Sequence, residues 1–202
     1  MKKFWDKYAK SYDENTEKTF ATANSQVVEQ SKAYCKKDMH VLDIGCGTGL
    51  IIKDIAPFVC DIKAIDTSEE MIAQAKRNSI SNITWEQRDL FSIPTTEHYS
   101  LITAFNVLLY LPNIEHSVQR IHTLLNQDGY FISVTDCLGE KHNLLTFIQS
   151  MGIKLGVFPP MANLKISELK TIITSNGFDI IYEKNVYEKA DNYLIIAKKR
   201  SE

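Results

Sequence analysis

Five short apolar runs recur along the first two thirds of the chain, and their spacing constrains the fold more than any other feature. The runs are Val41–Ile44, Ile62–Ile65, Ile83–Trp85, Leu101–Phe105 and Tyr130–Val134. Most are near-continuous rather than alternating, as expected for strands covered on both faces of a sheet. Segments with helical periodicity separate them. Strands and helices that alternate in this way predict a parallel sheet with right-handed crossovers.

Helix signals fill the gaps between these runs. The apolar pattern over Leu50–Ile55 predicts a helix that ends before Pro57. Thr67–Glu70 has the form of a capping box and predicts a second helix. Asn113 predicts the cap of a third helix, which ends near Asp128-Gly129.

The C-terminal third predicts a last helix followed by a hairpin. Ser167 is the expected cap of a helix over Glu168–Asn176, and Gly177 suits the left-handed position after it. Phe178–Tyr187 and Tyr193–Lys198 are predicted strands, antiparallel because their connection is short. We therefore predict an α/β fold of three layers, whose sheet of about seven strands is mostly parallel and ends in an antiparallel hairpin.

The chain is predicted to form a single domain, residues 1–202. That length suffices for one well-buried core, and the sequence shows no internal repeat or linker. Residues 1–38 are polar, with a helix predicted over Thr22–Lys37. An insertion, Leu138–Lys165, carries many apolar side chains between the fifth strand and the last helix. Two interpretations stay open for it: helices packed on the sheet edge, or a lid over a substrate.

Composition excludes several classes of protein. Apolar residues make up 44% and charged residues 24%, which excludes disorder as the main state. The net charge is −2, so we expect no bulk nucleic-acid binder, because phosphate neutralisation needs clustered basic residues. The four cysteines show no CxxC pair or zinc spacing and indicate reduced thiols of a cytoplasmic protein. No apolar run reaches the roughly 20 residues of a membrane span.

The strongest local motif is a glycine loop after the first predicted strand. Val41–Gly49 places glycines at positions 45, 47 and 49, a GxGxG pattern. The dinucleotide fingerprint needs GxGxxG, but residue 50 is Leu, and no Lys-Ser/Thr pair follows. A tight turn without a ligand needs only one or two glycines. We interpret the loop as a place where a ligand approaches main-chain atoms at a helix N-terminus, which favours a carboxylate.

Acidic residues at strand ends extend this site. Asp43 would repel a pyrophosphate and suits an ammonium group, so a ligand with both charges is an amino acid. Asp66 lies 21 residues after Gly45 and is placed to accept hydrogen bonds from ribose hydroxyls, although an acid before a helix is also common. Asp89 either accepts a hydrogen bond from an adenine amine or is simply solvated. Met71 either packs on the adenine or belongs to the core.

Together these features resemble the class I S-adenosylmethionine-dependent methyltransferases, whose ligand combines adenine, ribose and an amino acid. The matching segments are Val41–Gly49 (first motif), Ile65–Ser68 (ribose acid), Arg88–Leu90 (adenine contact), Ser100–Asn106 (fourth motif) and Leu124–Tyr130 (entry to the fifth strand). In the last of these, Gln127-Asp128-Gly129 replaces the Pro-Gly-Gly that the family often has. The resemblance covers about residues 38–200 and implies a Rossmann-like fold with S-adenosylmethionine as cofactor.

The N-terminal segment Trp5–Asp13 resembles that of quinone-type and related small-molecule methyltransferases, where it folds over the cofactor. The resemblance implies that residues 1–38 cover the cofactor and that residues 138–165 form a lid over the acceptor. It also implies a set of cofactor-binding residues: Tyr12, Asp43, Gly45, Cys46, Gly47, Gly49, Asp66, Thr67, Met71, Asp89, Leu90, Phe105 and Asn106.

Direct methyl displacement needs a base only if the acceptor must lose a proton. His142 and Tyr110 are the candidates, followed by His116 and Asp136, but for each of them the sequence favours a solvated or core-satisfied residue over a base. The Asn/Asp-Pro-Pro-Tyr/Phe motif of amino-methylating nucleic-acid enzymes is replaced by Phe105–Leu108. The paired-glutamate loop of protein arginine methyltransferases and the Asp-Asp-Asn metal cluster of catechol type are also missing, so we expect no metal.

The sequence therefore predicts a methyltransferase that acts on a small, moderately apolar acceptor, as a monomer or homodimer in the cytoplasm. Methylation of RNA or protein is the first alternative, and it would call for a basic acceptor face. A non-catalytic S-adenosylmethionine-binding regulatory module is the second. The glycine spacing disfavours a nicotinamide dehydrogenase.

Overall fold

The computed structural model describes residues 2–140, 151–153 and 157–201 of the chain. Seven strands form one sheet in the order β3-β2-β1-β4-β5-β7-β6. The strands are β1 (His40–Ile44), β2 (Asp61–Asp66), β3 (Ile83–Gln87), β4 (Tyr99–Phe105), β5 (Leu125–Asp136), β6 (Phe178–Tyr187) and β7 (Asn192–Lys199). Strands β1 to β5 pair in parallel, and β7 is antiparallel to both β5 and β6. The predicted mostly parallel sheet with its terminal hairpin is confirmed.

Helices cover both faces of the sheet. They are α1 (Lys2–Tyr8), α2 (Tyr12–Lys32), α3 (Glu69–Ala75), α4 (Ile114–Leu124) and α5 (Ile166–Ser175). In β4, Ile102 joins the core layer that includes α4 and α5, whereas Leu101 joins the layer that includes α2 and α3. Successive strand residues point to opposite faces, so a strand covered on both sides needs apolar residues in succession. This explains the near-continuous apolar runs.

The segment after the glycine loop differs from the predicted helix. It contains two 3₁₀ turns, Ile52–Asp54 and Ala56–Phe58, instead of an α-helix. Pro57 has no N–H to donate and its ring obstructs a continuous helix, so the short segment closes with bonds between residues three apart. The glycine loop is therefore not followed by an α-helix whose dipole could attract a carboxylate. The prediction of a helix N-terminus at this loop was wrong.

Helix boundaries also differ from the predictions. Helix α2 begins at Tyr12, not near residue 22. The prediction missed its first half because that half is polar and exposed and shows no apolar stripe. Helix α4 ends at Leu124, since the chain passes directly into β5 and Asp128, with φ of 60°, lies inside that strand. The last helix begins at Ile166, and Glu168 accepts a bond from the backbone N–H of Lys165 at 2.8 Å.

The cap predicted at Asn113 is confirmed, because its side chain accepts a bond from the His116 N–H at 2.9 Å. In α3 the cap is Ser68, one residue later than the capping-box pattern indicates. The left-handed conformation predicted for Gly177 is confirmed by its φ of 84°. Among the described residues, no helix is both long enough and apolar enough to cross a membrane.

Parallel strands bring their carboxyl ends to one edge of the sheet, where ligands bind in folds of this kind. That edge collects the glycine loop after β1, Asp66 at the end of β2, Asp89 after β3 and Asn106 after β4. Residues that are far apart in the chain therefore share one side of the molecule.

Candidate active site

A cavity opens at the carboxyl edge of the sheet. It measures about 180 Å³, more than ten times the roughly 10–15 Å³ that one water needs. Its walls come from α1, α2, α3 and the segments after β1 to β4. The lining residues are Trp5, Tyr12, Ile44, Gly45, Gly47, Ile65, Asp66, Thr67, Met71, Arg88, Asp89, Leu90, Phe91, Phe105, Asn106, Val107, Tyr110, Leu111 and Pro112.

The three loop glycines have different physical roles. A side-chain carbon at Gly45 would overlap Val107, and one at Gly49 would overlap Trp85, so both glycines allow close packing. Gly47 has φ of 55°, and a side-chain carbon there would lie 3.9 Å from the Tyr12 ring with little else nearby. Gly47 therefore presents bare backbone to the cavity, in the conformation that glycine adopts without strain.

Asp66 lies at the centre of the site. One carboxylate oxygen accepts the Gly47 N–H at 3.0 Å, and the other accepts the Ser68 N–H at 2.8 Å. Burial raises the pKa of Asp66, while these backbone bonds oppose the rise. A carboxylate offers about four acceptor positions, so each oxygen keeps one for a ligand hydroxyl.

Asp43 is buried beside the glycine loop, with 2% of its surface exposed. The Thr103 hydroxyl donates to it at 2.6 Å, and no Lys, Arg or His in the described part of the chain pairs with it. Burial raises the pKa of Asp43 to about 7, and the charge of Asp66 adds to the rise. A buried carboxylate without a cation is costly, and a ligand ammonium group would supply the missing charge.

A smaller cavity of about 30 Å³ adjoins the main one on the Asp43 side. Asp43 and Cys46 line it together with Thr16 and Asn24 of α2. Burial raises the pKa of the Cys46 thiol well above its usual value, so Cys46 is a neutral thiol beside the ligand edge. This space has polar walls and lies where the sequence predicts the amino-acid part of the ligand.

The opposite end of the main cavity is apolar. Met71 and Leu90 are 2% and 3% exposed, so each is a core residue that also forms part of the cavity wall. One oxygen of Asp89 accepts the Phe91 N–H at 2.8 Å and caps a 3₁₀ turn. Its other oxygen has no hydrogen bond to the described residues and is available to a ligand amine.

The N-terminal helices cover the cavity and are attached on both sides of it. Asp6 accepts the Ser68 hydroxyl at 2.6 Å, and Asp13 accepts the Thr48 hydroxyl at 2.5 Å. Trp5 also packs edge-on against Tyr110, with ring centroids 5.0 Å apart. Sequence reasoning predicted Tyr12 here but missed Trp5, Asp6 and Asp13. All three lie in the segment Trp5–Asp13 that carries the family resemblance, but only Tyr12 of that segment was assigned to the site.

A buried polar group lies beyond Asn106. The Asn192 amide donates at 2.7 Å to Asn106 and at 2.7 Å to Asp136. Burial raises the pKa of Asp136, and burial together with the Asp136 charge raises that of Tyr110. Tyr110 is therefore a protonated phenol at neutral pH, able to donate a hydrogen bond but not to act as a base. Sequence reasoning missed Asn192 because its partners lie on other strands.

The structure thus brings most of the predicted cofactor residues together. In the main cavity it places Tyr12, Gly45, Gly47, Asp66, Thr67, Met71, Asp89, Leu90, Phe105 and Asn106. Asp43 and Cys46 line the adjoining cavity, and Gly49 lines neither. His116 stacks on Phe91 at 4.7 Å, and His142 lies outside the described residues.

The chain is similar in sequence to several curated methyltransferases. A ubiquinone biosynthesis O-methyltransferase from Glaesserella parasuis serovar 5 (strain SH0165) is 30% identical over 115 residues, which cover 52% of this chain and 49% of the relative. A ribosomal protein L11 methyltransferase from Staphylococcus haemolyticus (strain JCSC1435) is 27% identical over 202 residues, 91% of this chain and 58% of the relative. The chain spans about half the length of the curated relatives it matches.

A solved structure shares the fold of this chain, and a family model matches its sequence. A chain from the complex between the Haloferax volcanii Trm112 methyltransferase activator and a methyltransferase has the same fold, with a TM-score of 0.79, 14% identity and 98% coverage of both chains. The family model for a methyltransferase domain matches residues 35–152, more than half of the sequence. The predicted family is confirmed: the chain belongs to the class I methyltransferases, enzymes whose cofactor is S-adenosylmethionine.

Proposed function

We propose that this chain transfers a methyl group from S-adenosylmethionine to a small-molecule acceptor by direct displacement. One observation carries the proposal: a buried carboxylate, Asp43, and a half-buried one, Asp66, both lie beside the glycine loop, and no Lys, Arg or His of the described residues pairs with Asp43. The cofactor carries an ammonium group, ribose hydroxyls and a sulfonium charge. Asp43 can accept from the ammonium group and Asp66 from the ribose hydroxyls. A side chain at position 47 would enter the space that the cofactor needs.

The cofactor's parts can be assigned to particular residues. Asp66 uses its remaining acceptor positions for the two ribose hydroxyls, while its amide bonds keep the carboxylate in place. Asp43 and the adjoining polar cavity take the ammonium end. Met71, Leu90 and Asp89 form the adenine end, two by packing and one by accepting the exocyclic amine.

When bound, the cofactor supplies a methyl group already activated by its sulfonium. The chain must hold the acceptor in line and exclude water. Trp5, Tyr12 and Tyr110 serve the second task, because they place aromatic rings over the cavity. Aromatic faces also attract a cation when it is desolvated. No side chain in the described residues is assigned as a general base.

The walls support a small, partly apolar acceptor. Val107, Leu111 and Pro112 line the cavity after β4, and Arg88 is the single basic residue in the lining. That guanidinium is already bonded to Glu86 and to Ser92. A phosphate-rich acceptor would need more free cations than these walls contain.

We also propose that the insertion at 138–165 forms the acceptor lid, and that residues 1–38 cover the cofactor within a single methyltransferase domain. In the described part, the Gly139 N–H bonds to the Leu164 carbonyl at 2.8 Å, which closes the base of the insertion. Phe158 is 37% exposed and packs against Gly152, and it is not among the residues that line the main cavity. Phe147, another aromatic residue of the insertion, lies outside the described residues.

A protein acceptor is the second candidate, because the ribosomal protein L11 methyltransferase aligns with 91% of this chain. Incubation of the full chain with methyl-labelled S-adenosylmethionine and a cell extract separates the two. The extract is divided by size into metabolites and macromolecules before incubation. We expect the demethylated cofactor to accumulate, with label in the metabolite fraction.

Asp66→Ala should abolish this labelling, whereas Asp179→Ala, an exposed acid far along the chain, serves as the matched control and should not change it. Label found in protein alone would overturn the small-molecule proposal while keeping the methyltransferase. Label in neither fraction, with the cofactor bound, would favour a regulatory module.

A further inference from the structure

The opposite edge of the sheet carries a second cluster of reactive side chains. His40 is the first residue of β1, Asp61 is the first residue of β2, and Cys60 precedes it. The two strands pair in parallel with His40 directly beside Asp61. At about 3.3 Å per residue, the five residues of β1 separate this cluster from the cavity by roughly 15 Å. Methyl transfer as proposed above makes no use of it.

The cluster has the geometry of a nearly assembled metal site. His40 Nδ1 lies 2.8 Å from an Asp61 carboxylate oxygen. One ligand atom from each of His40, Cys60 and Asp61 lies within 4.8 Å of the other two. Tetrahedral zinc, with bonds of about 2.0–2.3 Å, needs ligand atoms roughly 3.3–3.8 Å apart. Small side-chain rotations reach that spacing, because the His40 and Asp61 side chains are 58% and 54% exposed.

The backbone beneath these side chains is fixed by the sheet. The Cys60 N–H donates to the Met39 carbonyl at 3.0 Å, and the Asn82 amide donates to the Cys60 carbonyl at 3.3 Å. His40 and Asp61 are held by the strand register. A ligand set on fixed backbone loses little freedom when an ion binds, so only side-chain rotamers remain to be ordered.

We propose that His40, Cys60 and Asp61 bind a borderline-soft divalent transition metal such as Zn²⁺, with water in the fourth position. An imidazole nitrogen, a thiolate and a carboxylate are ligands that Zn²⁺ accepts, whereas a thiolate disfavours Mg²⁺ and Ca²⁺. Sequence spacing did not reveal the site, because its ligands come from two strands that the sheet brings together. Such an ion would link the starts of β1 and β2.

The test uses the full chain under reducing conditions, with Co²⁺ as a spectroscopic probe and Zn²⁺ in calorimetry. We expect one Co²⁺ per chain to produce a thiolate-to-metal charge-transfer band, which Zn²⁺ then displaces. Cys60→Ser should remove the band and weaken Zn²⁺ binding by more than about 100-fold, since even an outer residue of a metal site commonly accounts for 10- to 100-fold. His40→Gln should weaken binding as well. Cys35→Ser is the matched control, since that thiol bonds to the Ser31 carbonyl outside the cluster.

Three results would overturn the proposal. The wild-type chain could show no saturable binding, the band could persist in Cys60→Ser, or it could disappear in Cys35→Ser. Titration of S-adenosylmethionine into the same variants should give the wild-type affinity, because the cluster lies at the other edge of the sheet. The proposal is therefore judged independently of the methyltransferase activity.

Discussion

The glycine loop (residues 45–49) and the N-terminal cover (α1 and α2) face each other across the cavity but are attached to the protein in different ways. Backbone bonds to Asp66 and packing against Val107 and Trp85 hold the loop to the core. The cover buries no residue of α1, and its first half depends on side-chain bonds and aromatic contacts. We infer that the loop is a fixed wall and that the cover is the part that opens to admit ligands.

Substitution of Asp66, which holds the glycine loop in place, should have the largest effect on cofactor binding. Asp66→Ala removes charge-assisted bonds to two ribose hydroxyls, each contributing roughly 1.5–3 kcal/mol, although water recovers part of the loss. We expect S-adenosylmethionine binding to weaken by about 2–4 kcal/mol, or roughly 30- to 1000-fold, in calorimetry. Asp66→Asn should weaken it less, because its amide oxygen still accepts bonds.

The same carboxylate also accepts the N–H groups of Gly47 and Ser68, so the ligand-free melting temperature of Asp66→Ala should fall as well. Unchanged affinity in the Ala variant would remove Asp66 from the site. A lower melting temperature with unchanged affinity would make it a structural residue only.

Two of the three loop glycines, Gly45 and Gly47, allow a comparison within the loop itself. Gly45→Ala should lower the free energy of unfolding by about 2–3 kcal/mol, because the new methyl group meets the stiff Val107 side chain in a strained conformation. Gly47→Ala should lower it by only about 1 kcal/mol, since the methyl enters open space. In contrast, Gly47→Ala should impair cofactor binding more than its stability loss suggests. Chemical denaturation and calorimetry measure both, and equal stability losses would contradict the assigned roles.

The pH dependence of cofactor binding should distinguish Asp43 from the glycine loop beside it. Its pKa of about 7 in the ligand-free chain means that a bound ammonium group must displace a proton at lower pH. Affinity for S-adenosylmethionine should fall about tenfold between pH 8 and pH 6, and level off above pH 8. Asp43→Asn should bind weakly at every pH and show no such change. A pH-independent affinity in the wild type would exclude Asp43 as the ammonium partner.

Ligand-free stability should change in the opposite direction. The folded-state pKa of Asp43 is raised from 3.8, so the folded state binds more protons than the unfolded state between about pH 4 and pH 7. The Asp43 contribution to stability is therefore present at low pH and is lost as the pH rises through 7. Comparison of wild type with Asp43→Asn in denaturant titrations isolates it.

The smallest effects should come from the cover. Asp6→Ala removes the bonds from the Ser68 hydroxyl and the Glu70 N–H, and Asp13→Ala removes the bond from the Thr48 hydroxyl. Each variant should cost about 1 kcal/mol of docking free energy, with little change in the global unfolding midpoint. We expect faster hydrogen exchange in α1 and the start of α2, while the strands stay protected. Asp54→Ala, a change of the same type outside the cover, is the control. Uniform protection in both variants would show that the cover is as fixed as the wall.

Sequence patterns predicted the wall better than the cover, for physical reasons. Buried strands need continuous apolar runs, and the glycine loop needs residues that adopt a positive φ without strain, so both leave a local signal. The cover was predicted only through the family resemblance of Trp5–Asp13, because its attachment depends on bonds between residues far apart in the chain, such as Asp6 with Ser68, which leave no local pattern. The turns around Pro57 were missed because an apolar helical pattern does not count the hydrogen bond that a proline removes. Asn192 was missed because only the fold brings it to Asn106 and Asp136.

Calorimetric titration of S-adenosylmethionine and of NAD into the wild-type chain tests the central claim most directly. The account predicts saturable binding of S-adenosylmethionine at one site per chain, binding that is roughly 30- to 1000-fold weaker in Asp66→Ala, and no measurable heat with NAD. Binding of NAD, with S-adenosylmethionine ignored, would contradict it.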